Sequence, residues 1–286
     1  MKKGALGIMI SSAMGIPEAE QFASVADAGF DSVFTIWKDA HTLADHKRLA
    51  DESGLILHSV HGPFSGDTFL THMWSHGEAG KAVAKNIIKI VEACSENEVG
   101  MLVTHVHSGF EYDLPTVDQA PFAIENFGLI AERARELGVT LALENIENFE
   151  LNEVLLEAFG GHPNVGFCWD SGHERCYYNG RDLLKNAGKH LIAVHLHDNM
   201  GCGSADGSIA SRDDMHMLPF DGIIDWQGVA DRLDSHGYDG TLMLEVKRSV
   251  WYSDRPEIAG YMKMSPSEYI AEAYKRAKRL LKLRKA

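Results

Sequence analysis

The chain reads as an α/β protein, a single (β/α)8 TIM barrel over residues 1–286, and three observations predict it. A unit of helical stretch, glycine and short aliphatic run recurs along the whole length. Eight aliphatic runs can be placed, and most of them end in an acid or an imidazole. With 286 residues, 45% of them hydrophobic and 24% charged, the chain can bury a sizeable core.

The opening MKKGALGIMISSAMG has the two lysines and short apolar stretch of a signal peptide, but Gly4, Gly7 and two serines interrupt it. Residues 4–10 therefore read as the first strand. The next four follow glycines: AGFDSVFTI at Gly29, SGLILHSV at Gly54, VGMLVTHV at Gly100 and LGVTLALE at Gly138. A glycine just past a helix end supplies a left-handed cap, and runs apolar on both faces suit a covered parallel sheet. VGFCWD (165–170) and LIAVHLH (191–197) give the sixth and seventh strands, and HGYDGTLMLE, at Gly237, gives the eighth. Helical patterns such as KAVAKNIIKIVEACSEN and FAIENFGLIAERAREL lie between strands, and SPSEYIAEAYKRAKRLLKLRKA reads as the closing helix. A doubly wound open sheet would need a Gly-rich phosphate loop after an early strand. The glycine cluster GCGSADG at 201–207 has other spacing and follows a late strand.

Lys plus Arg number 27 against 41 Asp plus Glu, a net charge of −14, which matches polyanions poorly; no nucleic-acid partner is expected. No apolar run approaches the roughly twenty residues of a membrane helix, so no membrane partner is expected. Cys94, Cys168, Cys176 and Cys202 form no CxxC pair and suit reduced thiols in a cytoplasmic protein. A homo-oligomer is compatible with the chain.

In a barrel the C-terminal strand ends converge on one mouth. The third strand delivers His61 there, the fourth His107, the fifth Glu144, the sixth Asp170 and His173, the seventh His195 and the eighth Glu245. A single acid at a strand end is ordinarily a helix cap or a salt-bridge partner. Six consecutive strands are different, because carboxylates buried without partners are costly; the mixture of oxygen and imidazole donors predicts a divalent cation. His58, His105 and His197, in the same strands, read as hydrogen-bonded structural histidines. Trp37, ending the second strand, suits core or a wall for a ring or carbon chain.

The pieces LEN (143–145), DSGH (170–173), VHLHD (194–198), HMLPFDGIIDW (216–226) and LE (244–245) together resemble the xylose isomerase-like TIM barrel superfamily. That superfamily includes AP endonuclease IV and many sugar isomerases and epimerases, and the resemblance runs over essentially the whole chain. It implies one divalent metal ion (Mn²⁺, Zn²⁺, Co²⁺ or Mg²⁺) held by Glu144, Asp170, His195 and Glu245. It further implies an isomerase or epimerase of a sugar or polyol-derived hydroxy-carbonyl compound, working through a metal-stabilised enediolate. Glu144 and Glu245, from opposite sides of the mouth, would be the catalytic base and acid on either face of a planar intermediate. Trp37, His61, His107, His173 and His216 would contact the substrate.

The positions of His61, His107, His173, Asp214 and His216 also match further metal ligands of the nuclease members, so AP endonuclease IV-like phosphodiester hydrolysis is the alternative. ENIENFE and DSGHERCYY, however, depart from the nuclease wording. The mouth loops SSAMGIPE, GPFSGDTFLTHMWSHGE, SGFEYDLPTVDQAP and IENFELNE carry no Lys or Arg with which to grip phosphates. There is a departure from the epimerases too, at Gly201, where some ketose 3-epimerases place an arginine. Asp214 is expected in a long Gly- and Ser-rich loop whose ordering entropy weakens any ion site it joins.

Overall fold

The computed structural model describes residues 4–63, 69–109, 113–204, 206–249 and 255–285. Of the stretches named above, residues 1–3, 64–68, 110–112, 205 and 286 lie outside the described residues.

The apolar runs become strands β1 (Leu6–Ile10), β2 (Ser32–Ile36), β3 (Ile56–His61), β4 (Met101–His105), β5 (Thr140–Glu144), β6 (Val165–Asp170), β7 (Leu191–Leu196) and β8 (Leu242–Leu244). They form one closed barrel in chain order, all parallel, with β8 closing on β1 through Leu6, Gly7 and Ile8 beside Leu242, Met243 and Leu244. Between and after them run α1 (Glu18–Ala28), α2 (Ala40–Glu52), α3 (Glu78–Glu96), α4 (Ala120–Leu137), α5 (Glu150–Ala158), α6 (Ser171–Tyr178), α7 (Leu184–Ala187), α8 (Trp226–Ser235) and α9 (Pro266–Leu283). Closure requires α9 to pack beside α1 and α8 on the outer ring. It starts cleanly because Ser265 and Glu268 form a capping box and Pro266 occupies its first position.

Gly29, Gly54, Gly138 and Gly237 take left-handed φ values of 104°, 70°, 69° and 65°, as the cap argument requires. Gly100 does not. The exit from α3 turns two residues earlier, at Glu98 with φ 55°, so Gly100 is already entering β4.

Strand alternation places the chemistry. Val103, Ala142, Cys168 and Ala193 form one small cluster, and Met9, Phe34 and Met243 another, separate from the large core between sheet and helices. Residues two apart in a strand share a face. His105, Glu144, Asp170, His195 and Glu245 each stand two residues beyond a member of these lumen clusters, so the same face that fills the barrel lower down carries donors at the mouth. Register levels them: His105 pairs with Glu144 and Asp170 with His195.

The segment after β7 is tied down more firmly than its composition suggests. Asp198 pairs with Met217 in an antiparallel bridge, with N–H to O distances of 2.9 and 2.8 Å. The buried Asp198 carboxylate also accepts from Asn199 N (3.0 Å), Phe220 N (3.0 Å), Ile224 N (3.1 Å) and Trp226 Nε1 (2.7 Å). The expected ordering cost of an Asp214 site is therefore already met by folding, because the carboxylate fastens the returning half of this segment to the strand. Among the described residues all four cysteines are free, and no helix is long and apolar enough to cross a membrane.

Candidate metal centre and active site

Donor atoms of Glu144, Asp170, His195 and Glu245, all buried, lie within 4.8 Å of one another. His195 Nδ1 stands 2.8 Å from Glu144 Oε1 and 2.7 Å from Glu245 Oε2. One ring nitrogen can give a hydrogen to only one of two such oxygens at a time. Three donors this close resemble the packing around a cation, whose ligands at about 2.1 Å sit roughly 3 Å apart. Phe34 stacks on the His195 ring at 4.6 Å and 12° and fixes its plane.

Asp170 settles how the cap reading and the ligand reading of a strand-end acid relate. Its Oδ1 accepts from His173 N at 2.7 Å and caps α6. Its Oδ2 is buried without a hydrogen-bond partner among the described residues, the orphan acceptor a cation would satisfy. One carboxylate serves both. Asn145 holds the strand end at the right height, its Nδ2 donating to Asp170 O (3.0 Å) and its Oδ1 accepting from Asp170 N (2.7 Å).

The charges reinforce one another. Burial alone would raise the Glu144 carboxyl, but His195, His105 and His61 outweigh it and hold it well below the usual range. Burial likewise opposes protonation of His195, yet Glu144 and Glu245 push that imidazole well above its ordinary value. Glu245 is lowered in the same way, chiefly by His195 against its own burial. Without an ion the cluster thus binds a proton strongly where an ion would bind. Just below, burial together with Glu144 and Asp170 keeps the Cys168 thiol neutral.

Two further groups flank this centre. His61, His105 and Glu144 form one; His173, His197, Asp214 and His216 form the other. His61, His173 and His216 share one device. Each sets Nδ1 against a backbone carbonyl, Gly62 O at 2.7 Å, Asn145 O at 2.8 Å and Glu245 O at 2.8 Å respectively. Donation there leaves each Nε2 facing a carboxylate: Glu144 at 2.9 Å for His61, and Asp214 at 3.4 and 2.7 Å for His173 and His216. His216 does this from a left-handed backbone with φ 47°, a strained conformation that the surrounding structure must impose. Opposing burial, Asp170 and Asp214 raise His173 well above its ordinary value.

The expected set changes in two places. His107, paired with His61 in the sequence reading, lies outside these groups; its place beside Glu144 is taken by His105, whose Nε2 is 3.4 Å from Glu144 Oε2. The chain turns after β4, and His107 engages backbone on both sides: Nε2 to Glu147 O at 2.8 Å, and Nδ1 accepting from Gly109 N at 3.2 Å. His197, read as structural, stands 3.1 Å from Asp170 Oδ1 and 3.5 Å from Asp214 Oδ1, between the central group and its neighbour, with its ring stacked on His216 at 4.1 Å. Trp37, as expected of a core or wall residue, packs partly against the core, and its backbone N–H donates to His61 O at 2.8 Å. Alternation along a strand puts residues i and i+2 on one face, so spacing alone could not choose between His105 and His107, or set His197 apart from His195.

Gly172 makes the arrangement of His197 compulsory. A Cβ there would lie 1.9 Å from His197 Cε1, and that buried ring is already stacked on His216. Gly172→Ala is expected to destabilise the protein by about 3 kcal/mol, the upper range for overpacking. Urea unfolding checks it, and a midpoint equal to that of the parent would show that His197 is free to move.

A closed parallel barrel with buried carboxylates and imidazoles at its C-terminal mouth defines a metal-capable TIM barrel site. Residues 22–279 match the xylose isomerase-like TIM barrel family, and the chain belongs to it. Among curated relatives, the uncharacterized protein y4fM of Sinorhizobium fredii is 28% identical over 228 residues, 70% of this chain and 69% of that protein. The structure is similar to that of D-psicose 3-epimerase from Clostridium cellulolyticum H10, with TM-score 0.74 at 14% identity, covering 97% of this chain and 99% of that one. It is also similar to 3-keto-D-glucoside 4-epimerase YcjR from E. coli, with TM-score 0.64 at 18% identity, covering 92% and 100%. At these identities the structural likeness is one of fold.

Proposed function

We propose that the protein is a divalent-metal-dependent isomerase or epimerase of a small sugar or polyol-derived hydroxy-carbonyl compound. The observation that carries this reading is the convergence of Glu144, Asp170, His195 and Glu245, with Asp170 Oδ2 left as a buried orphan acceptor. An ion held by these four would supply Lewis-acid stabilisation of negative charge developing on substrate oxygen. Glu144, ending β5, and Glu245, following β8, both approach His195 Nδ1, and so present two carboxylates to one small volume. One carboxylate oxygen takes the proton α to the carbonyl. The other, entering the step with the proton that the cluster holds, delivers it to the opposite face, which inverts the carbon and leaves the first carboxyl protonated. His61, His173 and His216, with tautomers fixed by backbone carbonyls, orient hydroxyls, and the surrounding burial excludes water.

The second group, with His173, Asp214 and His216, is what favours phosphodiester hydrolysis as the other reading. Electrostatics weigh against it. The net charge is −14, and three of the basic residues outside the closing helix are engaged by the protein itself: Arg181 with Glu150, Arg248 with the Met14 and Met264 carbonyls, Arg255 with Glu257 and the Arg212 carbonyl.

The test is incubation of the metal-loaded protein with a panel of ketoses and inosoles in D₂O. Deuterium is expected at the carbon α to the carbonyl in at least one of them. Efficient incision of an abasic-site duplex at physiological salt, with no exchange into any carbonyl compound, would replace this reading with the hydrolase.

A further inference from the structure

Outside the ion-binding groups, the buried carboxylates of this fold are, as a rule, satisfied. Asp198 accepts four hydrogen bonds, and Glu174 accepts from Trp169 Nε1 (2.9 Å), Leu183 N (3.0 Å) and Arg232 Nη1 (2.7 Å). Glu147 breaks the rule. It sits in the loop after β5, three residues beyond Glu144, with a side chain only 7% exposed, and its buried Oε1 has no hydrogen-bond partner among the described residues. The nearest imidazole nitrogen, His107 Nδ1, is 4.0 Å away and already accepts from Gly109 N, so it has no hydrogen to offer.

The loop is nevertheless held at every residue. Asn145 is joined to Asp170 and His173, the Ile146 carbonyl accepts from Tyr178 Oη at 2.6 Å, and the Glu147 carbonyl accepts from His107 Nε2 at 2.8 Å. Asn148 follows in a left-handed conformation with φ 61°. Gly109, at φ 99°, leaves room beside Oε1, where a Cβ would come within 3.6 Å. Burial raises the Glu147 carboxyl to about 7, and Asn145, two residues before it, sets its carbonyl against His173 Nδ1, which places the loop on that side of the mouth. A loop so thoroughly fixed, ending in a polar atom with nothing to bind, is preorganised for a group that arrives from outside.

We propose that Glu147 is a specificity-determining residue whose Oε1 pairs with a substrate hydroxyl remote from the reacting carbons. This rests on the reading of the substrate as a polyhydroxylated carbonyl compound. It places selection in a residue that belongs to none of the ion-binding groups.

Calorimetric binding tests it, using metal-loaded protein with D-fructose, D-tagatose and D-psicose and with analogues of each lacking one hydroxyl. The parent is expected to bind one deoxy analogue about 10- to 100-fold more weakly than its ketose, what a hydrogen bond to a charged group contributes. Glu147→Leu should bind the full ketose that much more weakly and no longer distinguish that analogue, with ion content and urea midpoint unchanged. Glu147→Gln, which keeps an acceptor, should retain the distinction, and Glu147→Ala replaces the Leu variant should that one not fold. Unchanged discrimination in Glu147→Leu or Glu147→Ala, or a parent that binds no ketose, overturns the proposal. Ketoses that bind without deuterium exchange would instead count against the isomerase reading, while the binding pattern still judges Glu147.

Discussion

Glu144→Gln and Glu245→Gln are each expected to lower turnover by about a hundredfold or more, the contribution of a positioned general base or acid. The substitutions preserve volume and remove the negative charge on which the neighbouring imidazoles depend. Their side effects should differ. Glu144 is fully buried and is approached by His61, His105 and His195 at 2.9, 3.4 and 2.8 Å, so a neutral amide there disturbs three partners. Glu245 retains 8% exposure, with His195 at 2.7 Å as its nearest partner. Ion content, measured beside deuterium exchange, should therefore fall further in Glu144→Gln than in Glu245→Gln. If Glu245→Gln keeps its ion and still loses turnover, the carboxylate acts on the proton itself. A Glu245→Gln protein that exchanges deuterium at the parent rate would remove that residue from the chemistry.

Much of this centre was legible because its donors stand at strand ends, where an apolar run makes the next charged residue conspicuous. Glu144 ends β5 and Asp170 ends β6, so locating the strands located the ligands. The flanking groups were harder to read for the same reason. His105 and His107 straddle the end of β4, and only the turn of the backbone decides that the first meets Glu144 while the second meets the Glu147 carbonyl. The segment after β7 misled through composition: its Gly and Ser suggest a high ordering cost, whereas the buried Asp198 carboxylate, with three of its four donors at Phe220, Ile224 and Trp226, ties the far end to the strand. Glu147 carried no signal, because what distinguishes it is a missing partner, and a missing partner is a property of three-dimensional packing. The barrel itself survived such local errors. Eight apolar runs with helices between them admit few closed arrangements, and moving the α3 cap from Gly100 to Glu98 alters none of them.

Asp170→Ala is expected to abolish tight ion binding, and Asp214→Ala to leave one ion per chain while weakening the substrate. Loop entropy alone does not separate the Asp214 group from the central one, since Asp198 and the bridge to Met217 anchor the far end of the segment. Charge then has to carry the distinction. Glu144, Asp170 and Glu245 give the central group a formal −3 around one imidazole, with Asp170 Oδ2 unsatisfied. The group around Asp214 has a single carboxylate and three imidazoles. His216 Nε2 at 2.7 Å and His173 Nε2 at 3.4 Å already face that carboxylate. An ion entering there must displace the proton that Asp170 and Asp214 favour on His173, with one carboxylate in the group to compensate it; at the central group three are available. Removing Asp170 therefore deletes both the orphan donor and the cap of α6, whereas removing Asp214 frees two imidazoles for substrate or water. Elemental analysis of protein purified without chelator, on the parent and both variants, measures the difference. Three ions per chain in the parent, or a loss in Asp214→Ala as severe as in Asp170→Ala, would show that the flanking groups hold working ions too and would return phosphodiester hydrolysis to the front.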